Sequence, residues 1–338
     1  MSRGADFRDR SAPDTLFAAF TKKSWTCIHA KHKQETGPKL MAYCPDLVVI
    51  GSLLWDILGL APEQIARGGD VPGRITRQPG GVAMNVAAAT ARFGLCPAIL
   101  SAVGRDSDGD ALLAAAQGLG VDVRHVCRQE HMSTDRYMAI EDGDGLVAAV
   151  ADARTLEAVG AAVLAPLWDG TFGAPDAPWR GILVLDGNLT DAVFGHIATS
   201  GFFAATDLRI VPAGPGKAAR LLPVLRLPNA TLYLNRHEAE LLCSCTFATS
   251  AEAALGLSAQ GAGRVLVTDG AEAAVDAKAG EPLLAALPPA VRVTRVTGAG
   301  DTFVGAHLVA EYHNKGRAAA LQAALTAAAN HISGETGS

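Results

Sequence analysis

The sequence contains no uninterrupted apolar run of 18 residues, so no segment reads as a membrane-spanning helix. It contains no Cys-x-x-Cys pair: Cys27, Cys44, Cys96, Cys127, Cys243 and Cys245 are scattered, and the last two are too close together for a metal knuckle. In a chain of 338 residues this usage argues against a disulfide framework and for reduced thiols in a cytoplasm. No G-x-G-x-x-G follows the first strand, which disfavours a dinucleotide-dependent reductase. Internal repeats and low-complexity tracts are absent as well. Charged residues make up only 19%, with a net charge of −5 and no basic stripe, which argues against a nucleic-acid polymer as partner. What the chain has in quantity is apolar surface, at 49%, enough for a sizeable core in one large domain or two modest ones.

Residues 1–40 differ from the rest. They carry eight Lys/Arg against four Asp/Glu and have neither an apolar h-region nor a small-residue cleavage site. The sequence therefore divides into an extension over 1–41, disordered or a start-site artefact, and one domain over 42–335. From Asp46 onward, strand and helix patterns alternate. "DLVVIGS" is a short apolar run ending in glycine, as a buried parallel strand should be, and "GVAMNVAAATARFG" is helical with Gly94 as its stop. "CPAILSAVG", "GILVLDG", "TLYLN" and "RVLVTDG" repeat the strand pattern; "DGDALLAAAQGLG", "HEAELLCS" and "GAGDTFVGAHLVAEYH" repeat the helical one. Such alternation predicts an α/β fold with a doubly wound, mostly parallel sheet flanked by helices, and ligands at the carboxyl ends of the strands. Segments 57–79 and 125–152 break the pattern and read as a small β-sheet lid, the second built around "DGDG".

Two glycine-opened helices carry the chemistry. In "VTGAGD", Gly298 and Gly300 let backbone N–H groups converge at a helix start, suiting the turn to a developing negative charge. Asp301 then lies in the first turn, where a carboxylate can take a proton from an attacking hydroxyl or simply favour the helix dipole. In "PGGVAMNVA", Gly80 and Gly81 open a helix whose first turns carry Asn85, an amide able to donate to and accept from a sugar hydroxyl, or an ordinary surface residue.

These two stretches resemble the paired signatures of the ribokinase-like (PfkB) carbohydrate kinases. "GSLLWD" looks like that family's first sugar-contacting loop, "AVGRDSDGDAL" its VG-x-D-x-x-G stretch, "LNRHEAE" its N-x-x-E element and "VTDGAEAAV" its nucleotide-side loop. The resemblance runs from about Asp46 to about Gly334 and is closest to the pseudouridine kinase branch, through "PGRITRQPGGVAMNVA", "TDRYMAIEDGDGLVAAVAD", "LVLDGNLT" and "VPAGPGK". It implies ATP-dependent phosphorylation of a sugar hydroxyl, for pseudouridine the 5′-OH. Asp301 matches the general base and Gly298, Ala299 and Gly300 the anion hole. Asp56, Gly80, Gly81 and Asn85 match sugar-binding positions, and Thr134, Tyr137 and Asp186 lie where base or substrate would be contacted. Lys217, Asn235, Thr268, Gly270 and Asn330 match the nucleotide side, with Gly298 and Gly300 facing its phosphates. Glu238 matches the residue organising Mg²⁺, through water. Family lids often pair across a homodimer.

The chain also departs from the pattern. Arg295 stands where ribokinases often carry an Asp that helps bind a monovalent cation; a guanidinium has no lone pair to offer, which argues against potassium activation. A kinase of another nucleoside or simple sugar, ribokinase- or fructokinase-like, is the alternative, and a non-catalytic kinase-like binding protein the remote one.

Overall fold

The computed structural model describes residues 44–294 and 297–334. The expected extension over 1–41 and Arg295 lie outside them. In chain order, β1 (Leu47–Ile50) leads into β2 (Leu54–Leu60) and β3 (Arg74–Gly80), after which α1 (Val82–Arg92) returns to β4 (Pro97–Leu100). Next come β5 (Ala102–Gly104), α2 (Ser107–Gly118), β6 (Cys127–Gln129), β7 (Arg136–Asp142), β8 (Gly145–Asp152) and α3 (Arg154–Val159). The second half runs β9 (Ile182–Asp186), α4 (Asp191–Thr199), β10 (Asp207–Val211), β11 (Ala230–Asn235), α5 (Arg236–Cys243) and α6 (Ser250–Ala259). It ends with β12 (Arg264–Thr268), β13 (Ala274–Lys278), β14 (Leu284–Ala286), α7 (Ala299–Tyr312) and α8 (Arg317–Ser333).

Eight strands form one sheet in the order β14-β13-β12-β11-β10-β9-β1-β4, parallel from β4 through β12, with β13 and β14 added antiparallel at one edge. β1 shows why the sheet is buried on both faces. Its four residues LVVI are all apolar and inaccessible; Val48 and Ile50 enter one core, Leu47 and Val49 the other. The first core lies under α4, α5 and α6, the second under α1, α2, α7 and α8. The expected three-layer α/β architecture is therefore present. Strand order reverses around β1, with β4 on one side and β9 on the other, so the carboxyl ends of these strands open a crevice of the kind in which α/β proteins bind ligands.

A second sheet, ordered β3-β2-β7-β8, stands apart from the first. Its strands differ in extent from the expected lid. "LWD" is part of strand β2 rather than a loop, and residues 127–129 pair with β5 instead of joining the lid. The run "CPAILSAVG" divides at Ser101, whose carbonyl accepts the Cys127 N–H at 2.9 Å, so its second half leaves the main sheet. The carboxyl end of α7 is fixed by charge. Glu311 pairs with Arg264 at 2.7 Å and with Arg209, and these arginines hold its carboxyl down at about 2 although burial opposes ionisation. No helix among the described residues is long and apolar enough to cross a membrane.

Candidate active site

Helix α7 begins at Gly298, whose φ of 84° lies in the left-handed region that favours glycine. No described side chain caps this helix, so its first N–H groups are left to water or to a ligand. Asp301 sits in that first turn, and its Oδ2 accepts a 2.8 Å hydrogen bond from Nδ2 of Asn85, in the first turn of α1. Two positions explain how side chains 216 residues apart meet. Gly305 and Ala89 each lie one turn beyond Asp301 and Asn85, on the same helix faces. A Cβ on Gly305 would come within 2.6 Å of the Ala89 Cβ, so glycine there lets the two helices approach closely enough for the hydrogen bond.

Burial pushes the Asp301 carboxyl up to about 7, and the negative fields of Asp186, Asp56 and Glu238 add to the rise; the Asn85 amide opposes it. Such a carboxylate is a stronger base than an exposed one and changes protonation near neutral pH.

On the opposite side of the cleft, Asp56 lies on β2 and its carboxyl is raised to about 6 by burial. The carboxylate folds over the end of β3, where a Cβ on Gly80 would fall 2.0 Å from Asp56 Oδ2. Gly81, with φ 95°, is equally constrained by the Ser52 carbonyl and hydroxyl, and it opens α1 without a side-chain cap. Tyr137 is the in-register neighbour of Asp56 on β7, so the two share the sheet face turned to the cleft. The nearby Asp56 and its own half-burial both raise the phenol above its usual range, burial contributing more.

Two of the expected substrate contacts, Asp186 and Thr134, are buried and hydrogen-bonded within the protein. Asp186 is inaccessible: Oδ2 accepts from the Ser52 N–H at 2.8 Å, the Ser52 hydroxyl and the Ala83 N–H at 3.2 Å, and Oδ1 from the Asn188 N–H and amide at 2.7 and 2.9 Å. It ties the ends of β1 and β9 to the start of α1 and so shapes the loops there. Thr134 is likewise buried, and both its N–H and its hydroxyl bond to Asp106, the N-cap of α2. Its role is to fasten "VGRDSDG" beneath the lid.

Of the remaining expected positions, Asn235 and Thr268 end strands, while the others lie in turns or helices. Asn235 closes β11 and forms a capping box with Glu238: Asn235 Oδ1 accepts the Glu238 N–H at 2.8 Å, and Glu238 Oε2 accepts the Asn235 N–H at 2.9 Å. Burial raises the Glu238 carboxyl, against the backbone N–H groups of Asn235 and Gly214. Thr268 ends β12 as the register partner of Asn235, and Gly270 follows in an exposed turn with φ 58°. Lys217 Nζ donates to Asn188 Oδ1 at 2.6 Å, while the Asn188 amide donates to the Ser52 hydroxyl at 3.1 Å. Lys217 is thereby linked through Asn188 to the loop after β1. Asn330 lies half-buried near the end of α8, next to His331, whose ring contacts the loop before α7. No group of three or more His, Cys, Asp or Glu side chains among the described residues forms a metal cage. A single buried carboxylate such as Glu238 suits Mg²⁺ that keeps its waters and arrives with phosphates.

Ser52, Asn188, Gly305 and His331 complete this geometry. Ser52, Asn188 and Gly305 lie within the motif stretches "GSLLWD", "LVLDGNLT" and "GDTFVG", whereas His331 lies in none.

Comparisons with known proteins identify the family. Residues 45–336 match the pfkB family carbohydrate kinase profile. The chain is 27% identical to the pseudouridine kinase of Escherichia coli over 262 residues, which cover 76% of this chain and 81% of that protein. Its fold is similar to a putative sugar kinase from Clostridium perfringens (TM-score 0.70, 24% identity, 86% and 90% of the two chains). It is also similar to Arabidopsis thaliana ribokinase complexed with ribose and ATP (TM-score 0.69, 22% identity, 86% and 93% covered). The chain therefore belongs to the pfkB family of carbohydrate kinases, and it is a sugar or nucleoside kinase with a ribokinase-like fold.

Proposed function

We propose that the protein transfers the γ-phosphoryl group of ATP to the 5′-hydroxyl of pseudouridine, giving pseudouridine 5′-phosphate and ADP. The observation that carries the reading is the Asp301–Asn85 contact. It joins a base poised at about 7 to the sugar-side helix at the mouth of an uncapped, glycine-opened helix terminus. Asp56, Asn85 and the backbone at Gly80 and Gly81 hold the ribose hydroxyls. Asp301 accepts the 5′-OH proton as that oxygen bonds to the γ-phosphorus and the bond to the bridging oxygen of ADP breaks. The N–H groups from Gly298 to Gly300 face the charge on the equatorial oxygens. Lys217, Asn235, Thr268, Gly270 and Asn330 receive the nucleotide. Mg²⁺, organised through water by Glu238, neutralises phosphate charge when bound.

The choice of pseudouridine is supported by the E. coli relative and by Tyr137 beside Asp56, an aromatic ring of the kind that stacks on a base. A panel of pseudouridine, uridine, adenosine, ribose and fructose, read as ADP formation, tests it. Pseudouridine is expected to give the highest kcat/KM, and preference for ribose or fructose would refute the assignment. On this reading turnover is the same in sodium and potassium salts, and the enzyme works in the cytoplasm.

The lid gives the same reading a quaternary form. On its face turned away from Asp56, Ile75 and Val150 are 79% and 70% exposed, and Met138 and Ile140 lie beside them in register. An apolar sheet face of this kind fits a second copy of the lid, making a homodimer. Met138→Asp is expected to convert a dimer to a monomer in analytical ultracentrifugation. A wild-type protein that sediments as a monomer at tens of micromolar would contradict the pairing.

A further inference from the structure

The loop that forms the anion hole is tied at both ends to the carboxyl terminus of α8, and His331 makes the decisive contacts. Its Nε2 lies 2.8 Å from the Thr297 carbonyl oxygen and its Nδ1 lies 3.2 Å from the Thr302 hydroxyl. On the other side of the loop, Thr294 donates its N–H and its hydroxyl to the Ile332 carbonyl at 2.9 and 2.8 Å. A carbonyl only accepts, so Nε2 carries the proton; at Nδ1 a neutral ring accepts from the Thr302 hydroxyl, and a protonated ring donates to its oxygen. Either form of the imidazole satisfies both contacts.

The consequence follows from peptide geometry. In a planar trans peptide the C=O and N–H point in opposite directions. Fixing the Thr297 carbonyl against His331 therefore turns the Gly298 N–H of the same peptide away from α8. That N–H opens the helix whose first turn carries Asp301. The ring also covers Gly298, where a Cβ would lie 3.2 Å from His331 Nε2. Through Thr302 the same ring holds the residue after the base. We propose that His331 is a positioning residue of the phosphoryl-transfer step: it aims the first anion-hole donor and fixes the turn that carries Asp301, without touching substrate. The inference rests on the kinase reading of this loop.

Kinetics of His331→Ala, on whichever acceptor of the panel turns over fastest, test it. Because a misaimed donor loses its strength in the transition state, kcat is expected to fall on the order of ten- to a hundredfold, with KM for acceptor and ATP within about threefold of wild type. His331→Gln is expected to restore most of the loss, since a carboxamide can donate to Thr297 and accept from Thr302. Millimolar imidazole is expected to restore part of it in the alanine variant. Adding Thr302→Val to His331→Ala is expected to lower kcat little further, because both remove one shared clamp. A normal kcat in His331→Ala would overturn the proposal. So would a rise of tenfold or more in KM for ATP with kcat intact, which would make His331 a nucleotide contact. Loss of activity that neither glutamine nor imidazole relieves, in step with a lowered Tm, would reduce the residue to a structural role. A wild type inactive on pseudouridine but active on another acceptor would sink only the substrate assignment.

Discussion

Asp301→Asn is expected to lower kcat by at least about a hundredfold while leaving ATP binding within a few fold of wild type, the scale of losing a general base. The amide keeps the shape of the carboxyl and a partner for Asn85, but it has no basic oxygen for the hydroxyl proton. The same variant makes a second, independent expectation about stability. The folded carboxyl titrates at about 7 against an ordinary 3.8, so its contribution to stability is fully present below about 3.8 and is lost as pH rises to about 7. The buried carboxylate is therefore a liability above neutrality. Asparagine removes it, and Tm of the variant is expected to exceed that of wild type at pH 8, with a gap that shrinks toward pH 4. Calorimetry across that range checks the sign. A functional group placed where it destabilises the fold is the usual trade between stability and activity.

The second large effect is expected from a single methyl group. In Gly80→Ala the new Cβ would fall 2.0 Å from Asp56 Oδ2, 2.1 Å from Cγ and 2.5 Å from Oδ1. These three nearest atoms all belong to the Asp56 side chain, and Gly80 has no left-handed φ, so the variant is expected to fold by swinging that side chain aside. The sugar hydroxyls then lose their carboxylate. With hydrogen bonds to a charged group each worth about 1.5–3 kcal/mol, kcat/KM for the acceptor is expected to drop by about two to three orders of magnitude. Tm is expected to stay close to wild type, and KM for ATP to change little. Near-normal kcat/KM in Gly80→Ala would remove Asp56 from the sugar site as drawn here. A collapse of Tm would show that the contact serves the fold instead.

Much of this was legible in the sequence. Alternating apolar runs and glycine stops marked the parallel strands because a strand buried on both faces has no room for polar residues, as in "LVVI". The two glycine-opened helices were visible because only glycine tolerates the left-handed turn at Gly81 and Gly298. Contacts between distant segments were not. Nothing near Asp186 or Thr134 in the sequence shows that Ser52 and Ala83 hold the one and Asp106 the other. The antiparallel edge strands β13 and β14 carry no helix between them and so lacked the alternation that marked the others. His331 lay in an alanine-rich helix with no motif around it, and its meeting with Thr297 is purely tertiary.

The most direct test of the account is the pH dependence of kcat/KM for the acceptor, in wild type and in Asp301→Asn. If Asp301 is the base, the wild-type value is expected to fall below about pH 7 with a slope of one, steepening below about 6 as Asp56 also protonates. The residual activity of Asp301→Asn is expected to lose the limb at about 7 and keep the one at about 6. A limb at 7 that persists in Asp301→Asn would contradict the assignment of that carboxylate as the catalytic base.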